Sequence, residues 1–262
     1  MPDLQRLQQL MRQLRSPLSG CPWDLEQTFA SLVPHTLEEV YEVAEVIATG
    51  DLTELPTELG DLLFQILFYS QLGEEQGLFT LNEVLSALEH KLVSRHPHVF
   101  GTASAPDAAA VVMQWEAGKA LERRARQRGA VLSELDDVPQ ALPALSRARK
   151  LQKRAARVGF DWPDVSGPWQ KVREESTELE LAIAQGERAE IESELGDLLF
   201  AVVNLARHLD TDPEAALRAA NRKFERRFRY VETSLSARDL RMEQCDLRTL
   251  DELWDGAKRE GL

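Results

Sequence analysis

Two sets of acidic residues at matching spacings carry the chemistry open to this chain. Glu39 and Glu42 stand three apart, as do Glu58 and Asp61, and Glu175, Glu178, Glu194 and Asp197 repeat the arrangement 136 positions later. On a helix, residues three apart project from one face within a single turn. Two such helices packed side by side bring four carboxylates together. Partly buried carboxylates repel one another and shift toward the neutral form unless a cation compensates them. An all-oxygen ligand set suits a hard divalent ion, magnesium, manganese or calcium, better than zinc or copper. Magnesium keeps several waters and binds substrate phosphates beside a few carboxylates, which fits an enzyme acting on phosphoanhydrides. The ordinary reading of a lone Glu pair is a solvated helix face. Here Leu59, Leu62, Leu63, Phe64, Ile66, Leu67 and Phe68 surround the pair. That pattern predicts a buried helix whose polar stripe of Glu58, Asp61 and Gln65 faces a bundle interior, a cleft or a partner.

The acidic pattern lies within an internal duplication. Residues 58–64 recur unchanged as residues 194–200, and Glu38-Glu39 recurs as Glu174-Glu175 at the same displacement. Gly20, Trp23 and Trp115 correspond to Gly159, Trp162 and Trp254 at a displacement of 139, and Lys91 and Arg95 to Lys223 and Arg227 at 132. A repeat of this length reads as two copies of one domain and not as a solenoid. Helical spacing predicts helices over 37–48, 57–72 with Gly73 as its end, 82–94 with Asn82 as its N-cap, and 107–126. The second copy repeats the plan near 143–158, 169–184, 189–209, 213–230 and 250–259. Gly129, Ser133, Pro139 and Pro143 argue against helical continuity. The expected organisation is therefore all-α, with two tandem helical-bundle domains, 1–128 and 143–262, joined by a linker over 129–142.

Composition narrows the class. The 262 residues are 43% hydrophobic, 29% charged and 6% aromatic, which fits a helical globular protein and leans away from sheets. A net charge of −13 argues against a nucleic-acid partner. Cys21 and Cys245 cannot make a disulfide framework or a zinc cluster. The N-terminus lacks a continuous apolar run, and no stretch is long enough to span a membrane, so the expected location is the cytoplasm. No Gly-rich phosphate loop is present, which leaves metal and cationic side chains to hold any phosphate. Arg222 to Arg227 presents several cations in under two turns, including Lys223, Arg226 and Arg227; its first-copy counterpart, with Lys91 and Arg95, is sparser. Such runs are usually solvated surface, but recurrence beside an acidic quartet favours phosphate binding. Trp115 and Trp254 are ordinary packing residues or faces on which a nucleobase stacks.

Taken together, these residues resemble the tandem form of the MazG family of nucleoside triphosphate pyrophosphohydrolases over nearly the whole chain. The family pattern of a double Glu, two residues, a Glu, a spacer and Glu-x-x-Asp is met by Glu38-Glu39, Glu42, Glu58 and Asp61, and again by Glu174-Glu175, Glu178, Glu194 and Asp197. Gly20 to Asp24 with Gln27-Thr28, His96 to Phe100, and Gly159 to Trp162 are also similar to the family. The resemblance implies an all-α fold, usually a homodimer. It further implies magnesium-dependent hydrolysis of NTPs and dNTPs to monophosphate and pyrophosphate, as a house-cleaning activity. Carried over, Glu175, Glu178, Glu194 and Asp197 are metal ligands. Lys171, Glu174, Lys223, Arg226, Arg227 and Trp254 contact nucleotide, as does the Glu190 to Ser193 turn. Glu174 or another unsaturated carboxylate accepts the water proton. The first copy keeps Glu39, Glu42, Glu58, Asp61, Lys91, Arg95 and Trp115 but has His35 in place of Lys171 and Ser94 in place of Arg226, so the main activity is expected in the second. The alternative is a helical module that senses a nucleotide or divalent ion without turnover.

Overall fold

The computed structural model describes residues 3–108, 110–115, 118 and 133–262. The chain divides into two compact units, Met1–Arg128 and Gly129–Leu262. All regular structure among the described residues is helical. The first unit holds α1 (Leu4–Leu14), α2 (Pro22–Glu26), α3 (Phe29–Thr49), α4 (Leu55–Glu75), α5 (Leu81–Arg95) and α6 (Pro97–Phe100). The second holds α7 (Ala144–Arg157), α8 (Ser166–Gln185), α9 (Arg188–His208), α10 (Pro213–Ser236), a 3-10 turn (Met242–Gln244) and α11 (Leu247–Arg259). Of the helix expected over 107–126, residues 110–115 are helical and most of the remainder lies outside the described residues, as does the start of the expected linker.

Several helix ends differ from expectation, each for a local reason. Helix α3 begins at Phe29 because Thr28 and Ser31 form a reciprocal capping box, and Pro34 near its start forfeits only one backbone hydrogen bond. Helix α5 is capped by Thr80, whose hydroxyl accepts from the Glu83 N–H, and not by Asn82. Gly73 does not end α4: the ring of Phe79 lies where a Cβ would stand, with its nearest atom 2.7 Å away. Glycine is needed there for close packing, and the helix runs on to Glu75.

The duplicated turn determines the rest of the geometry. Gly50 closes α3 and Gly186 closes α8, both with left-handed φ, 79° and 80°. A left-handed glycine stops a helix and turns the chain back without a Cβ clash. Helix α4 thus packs along α3, and α9 along α8. The first unit's core is Met11, Leu32, Leu67, Phe68, Leu72 and Leu81, drawn from α1, α3, α4 and α5. In the second unit Val231, Leu235 and Leu253 join α10 to α11.

The expectation that the carboxylate helices are buried around most of their circumference is corrected. Leu59 and Ile66 on α4 and Leu195, Leu199 and Val202 on α9 are exposed, each more than 40%. The single chain covers only one side of each hairpin. Among the described residues, no helix is long and apolar enough to cross a membrane.

One segment of the second unit precedes its first helix. Arg154, itself buried, donates to the carbonyl oxygens of Glu134 (3.2 Å) and Asp136, and Val138 is buried beside them. These contacts tie residues 133–138 onto α7.

Candidate active site

In the second unit the hairpin brings carboxylate oxygens of Glu175, Glu194 and Asp197 within 4.8 Å of one another. Glu175 is 5% exposed, so its charge faces the other two with little water between. Glu178, expected as a fourth member, stands just outside the trio. Its carboxyl is pushed above the ordinary range by lost hydration and then by the negative charge of Glu175. Lys171, one turn before, reaches Glu174 at 2.8 Å and Glu175 at 2.6 Å. The Glu174 hydrogen bond, followed by that to Glu175, holds this ammonium charged well above the usual lysine range. Three converging carboxylates with one lysine retain net negative charge, and the all-oxygen donors fit a hard divalent cation.

The first unit assembles a similar trio, Glu39, Glu42 and Glu58, also within 4.8 Å. Here Asp61 is the member left outside. Lost hydration, then Glu42 and Asp61, raises the Glu39 carboxyl, and Glu58 is raised in the same order of causes. His35, in the position of Lys171, lies 3.8 Å from Glu38 and packs edge-on against Trp23 at 5.6 Å.

Beside the second trio opens a cavity of about 700 Å³, a size suited to a small organic ligand. Lys171, Glu175 and Asp197 line one part of it, and Phe160, Trp162 and Phe200 supply aromatic wall. Gln152, nearly buried, donates to the Phe200 carbonyl at 2.8 Å, while its own Oε1 has no protein partner. Asp161 accepts from Arg207 Nη1 at 2.9 Å and lies 3.0 Å from His208 Nε2. Hydrogen bonding from Arg207 is the main reason its carboxyl falls to about 2. A depressed folded pKa stabilises the fold above the unfolded value, near 3.8, and that contribution disappears as pH falls through about 2. Asp161→Asn is therefore expected to cost about 1 kcal/mol at neutral pH, less than the full shift implies because water screens this partly exposed pair. In denaturant titrations the gap to the unaltered protein should narrow steadily below about pH 4; a gap independent of pH excludes the ion pair as its source.

The family model for the MazG nucleotide pyrophosphohydrolase domain matches residues 27–100 and 169–231, which contain both carboxylate hairpins. The chain belongs to the MazG family. The nucleoside triphosphate pyrophosphohydrolase of Escherichia coli (strain K12) is 50% identical over 262 residues, covering 99% of this chain and 98% of that protein. The nucleoside triphosphate pyrophosphohydrolase/pyrophosphatase MazG of Thermotoga maritima is 42% identical over 254 residues, 97% of this chain and 95% of that protein.

The other expected contacts of a MazG site are more dispersed in the single chain. Lys223 and Arg226 are exposed on α10. Arg227 donates to the Leu262 carbonyl at 2.7 Å and lies over Trp254, which also packs on Phe224. Glu190 and Ser193 are exposed in the first two turns of α9 and not in a separate turn. In the first unit Lys91 is exposed, Arg95 half-buried, and Trp115 packs 6.4 Å from His96. Asn204, which the polar stripe of Glu194, Asp197 and Asn204 on this helix singles out, lines the cavity, as does Arg207, which had no counterpart in the duplicated motifs to mark it.

Proposed function

We propose that this protein hydrolyses nucleoside triphosphates to nucleoside monophosphate and pyrophosphate in its second unit. The observation that carries the reading is the Glu175, Glu194 and Asp197 trio meeting Lys171 at the edge of a cavity large enough for a nucleoside, in a chain of this family. Glu175, Glu194 and Asp197, with Glu178 beside them, would hold magnesium, or manganese in its place, and the ion would supply positive charge against the substrate phosphates and a more acidic water. Lys171 offsets phosphate charge. Glu174, outside the trio and tied to Lys171, takes the proton of the water whose oxygen attacks the α-phosphorus. As that bond forms, the bond from the α-phosphorus to the bridging oxygen breaks and pyrophosphate leaves. The apolar part of the cavity takes the base and sugar. Incubating the protein with each common NTP and dNTP, with and without magnesium, tests this directly. Monophosphate and pyrophosphate should appear together and only with the ion; monophosphate formed with orthophosphate alone, or no product, sinks the reading.

The first unit keeps its trio but has His35, a shorter side chain directed at Glu38, where the second has Lys171, so ion binding without efficient turnover is its proposed state. The exposed Leu195, Leu199 and Val202 on α9 and Leu181 and Ile183 on α8 support a homodimer that covers the outer sides of the hairpins. A dimer also allows Lys223, Arg226 and Trp254 of one copy to serve the site of the other. Light scattering should give twice the chain mass, and Leu199→Asp should shift it toward the monomer.

A further inference from the structure

The loop from Gly159 to Trp162 forms part of the cavity wall; the Trp162 ring packs over Gly167, whereas Phe160 projects outward. Phe160 is 82% exposed and Trp162 47%. The loop begins from a well-defined helix end: the Gly159 and Phe160 N–H groups return to the carbonyls of Ala156 and Ala155, with Gly159 at φ 87°. Beyond that point the anchor is Asp161. Its carboxylate accepts from both terminal nitrogens of Arg207 and from the Trp162 N–H at 2.9 Å, and it lies beside His208. Arg207 is oriented in turn by Asn204, whose Oδ1 accepts from Nε at 3.0 Å and Nη2 at 2.8 Å.

Helix α9 therefore bears two devices on one rigid rod. Glu194 and Asp197 stand near its middle and Asn204, Arg207 and His208 in its last turns, with about 15 Å of helix between Asp197 and Arg207. Because Asp161 neutralises Arg207, the far end of the cavity offers an aromatic and polar wall without an unpaired cation. That environment suits an uncharged heterocycle, while the triphosphate is drawn to the end with Lys171 and the carboxylates. The first unit keeps its carboxylates but has Pro22, Gln71 and Leu72 at the positions of Asp161, Arg207 and His208, so it cannot form this clasp.

We infer that Asp161 is a positioning residue for nucleotide binding: by tying the loop to Arg207 and His208 it holds Phe160 and Trp162 as the wall against which the base lies. The inference rests on the second unit being the triphosphate site. It adds the clasp to Lys171 and Arg226 among the features that distinguish the nucleotide-holding copy from the other.

The test compares ATP with inorganic tripolyphosphate, which has the phosphates but no base. In steady-state kinetics at fixed magnesium, Asp161→Asn should raise the KM for ATP about tenfold while kcat stays within about twofold. The inhibition constant of tripolyphosphate should not move. Asp161→Glu should recover part of the loss. Phe160→Ala, at a position too exposed to matter for folding, should raise the KM in the same manner and serves if the Asn variant folds poorly. An unchanged KM in Asp161→Asn or Phe160→Ala overturns the inference, as does a parallel rise for ATP and tripolyphosphate, which would mean that the whole site had loosened. If the unaltered protein bound ATP without turnover, the catalytic reading would fail on its own. The same comparison would then be made with dissociation constants from calorimetry, and equal losses for the two ligands would still overturn the clasp.

Discussion

Turnover by the Glu175→Gln protein should fall on the order of 10³-fold, the scale seen when one preorganised electrostatic group is removed from an active site. Glu175 is the buried member of the second trio and touches Lys171 directly. Glutamine keeps the shape and removes the charge, so the ion loses a ligand and Lys171 is left with Glu174 as its carboxylate partner. The fold should survive, because replacing a crowded carboxylate by an amide relieves repulsion from Glu194 and Asp197. Glu42→Gln makes the equivalent change in the first unit and should leave most of the activity. Initial rates of pyrophosphate release at saturating magnesium measure both variants. Activity above about a tenth in Glu175→Gln, with Glu42→Gln unimpaired, would remove the trio from the mechanism; roughly half the activity left in each variant would mean that both units turn over.

The largest stability effect is expected at Phe68. Its side chain is fully buried among Leu32, Leu67 and Leu72, stands edge-on to Phe64 at 5.7 Å, and carries the Arg15 guanidinium over its ring at 5.4 Å. Phe68→Ala should cost about 3–5 kcal/mol through lost burial and the cavity left behind. The damage is confined to the first unit, whose core these residues form. Thermal unfolding followed by circular dichroism should show the first unit's transition at a clearly lower temperature. Pyrophosphohydrolase activity assayed below that transition should persist if the second unit carries the chemistry. A shift of less than a degree would mean that the ring is not the centre of that core.

Much of this was legible because the duplication repeats chemistry together with hydrophobic pattern. Three-residue spacing on adjacent helices was enough to foresee that the acidic residues converge, and the seven-residue repeat marked the helices that carry them. The sequence did not show which carboxylate of each quartet stands aside, since that depends on side-chain direction and on Lys171 drawing Glu175 toward itself. It misjudged Gly73, because a glycine under an aromatic ring and a glycine at a helix end look alike until Phe79 is seen packing back. It overstated the burial of the carboxylate helices, because an apolar circumference does not say which of its sides the rest of the chain covers, and Leu59, Ile66, Leu195, Leu199 and Val202 are left exposed. Arg207 escaped notice for a different reason: its partner Asp161 lies 46 residues away, and no local period links them.

The docking of residues 133–138 bears on where the polypeptide can be divided. A second half begun at Pro143 would look intact by helix content, yet it would leave Arg154 buried without the carbonyls of Glu134 and Asp136 and would remove Leu135 from the cavity wall. Such a fragment could be helical and still misrepresent the site, so any dissection of the two copies should cut upstream of Ser133.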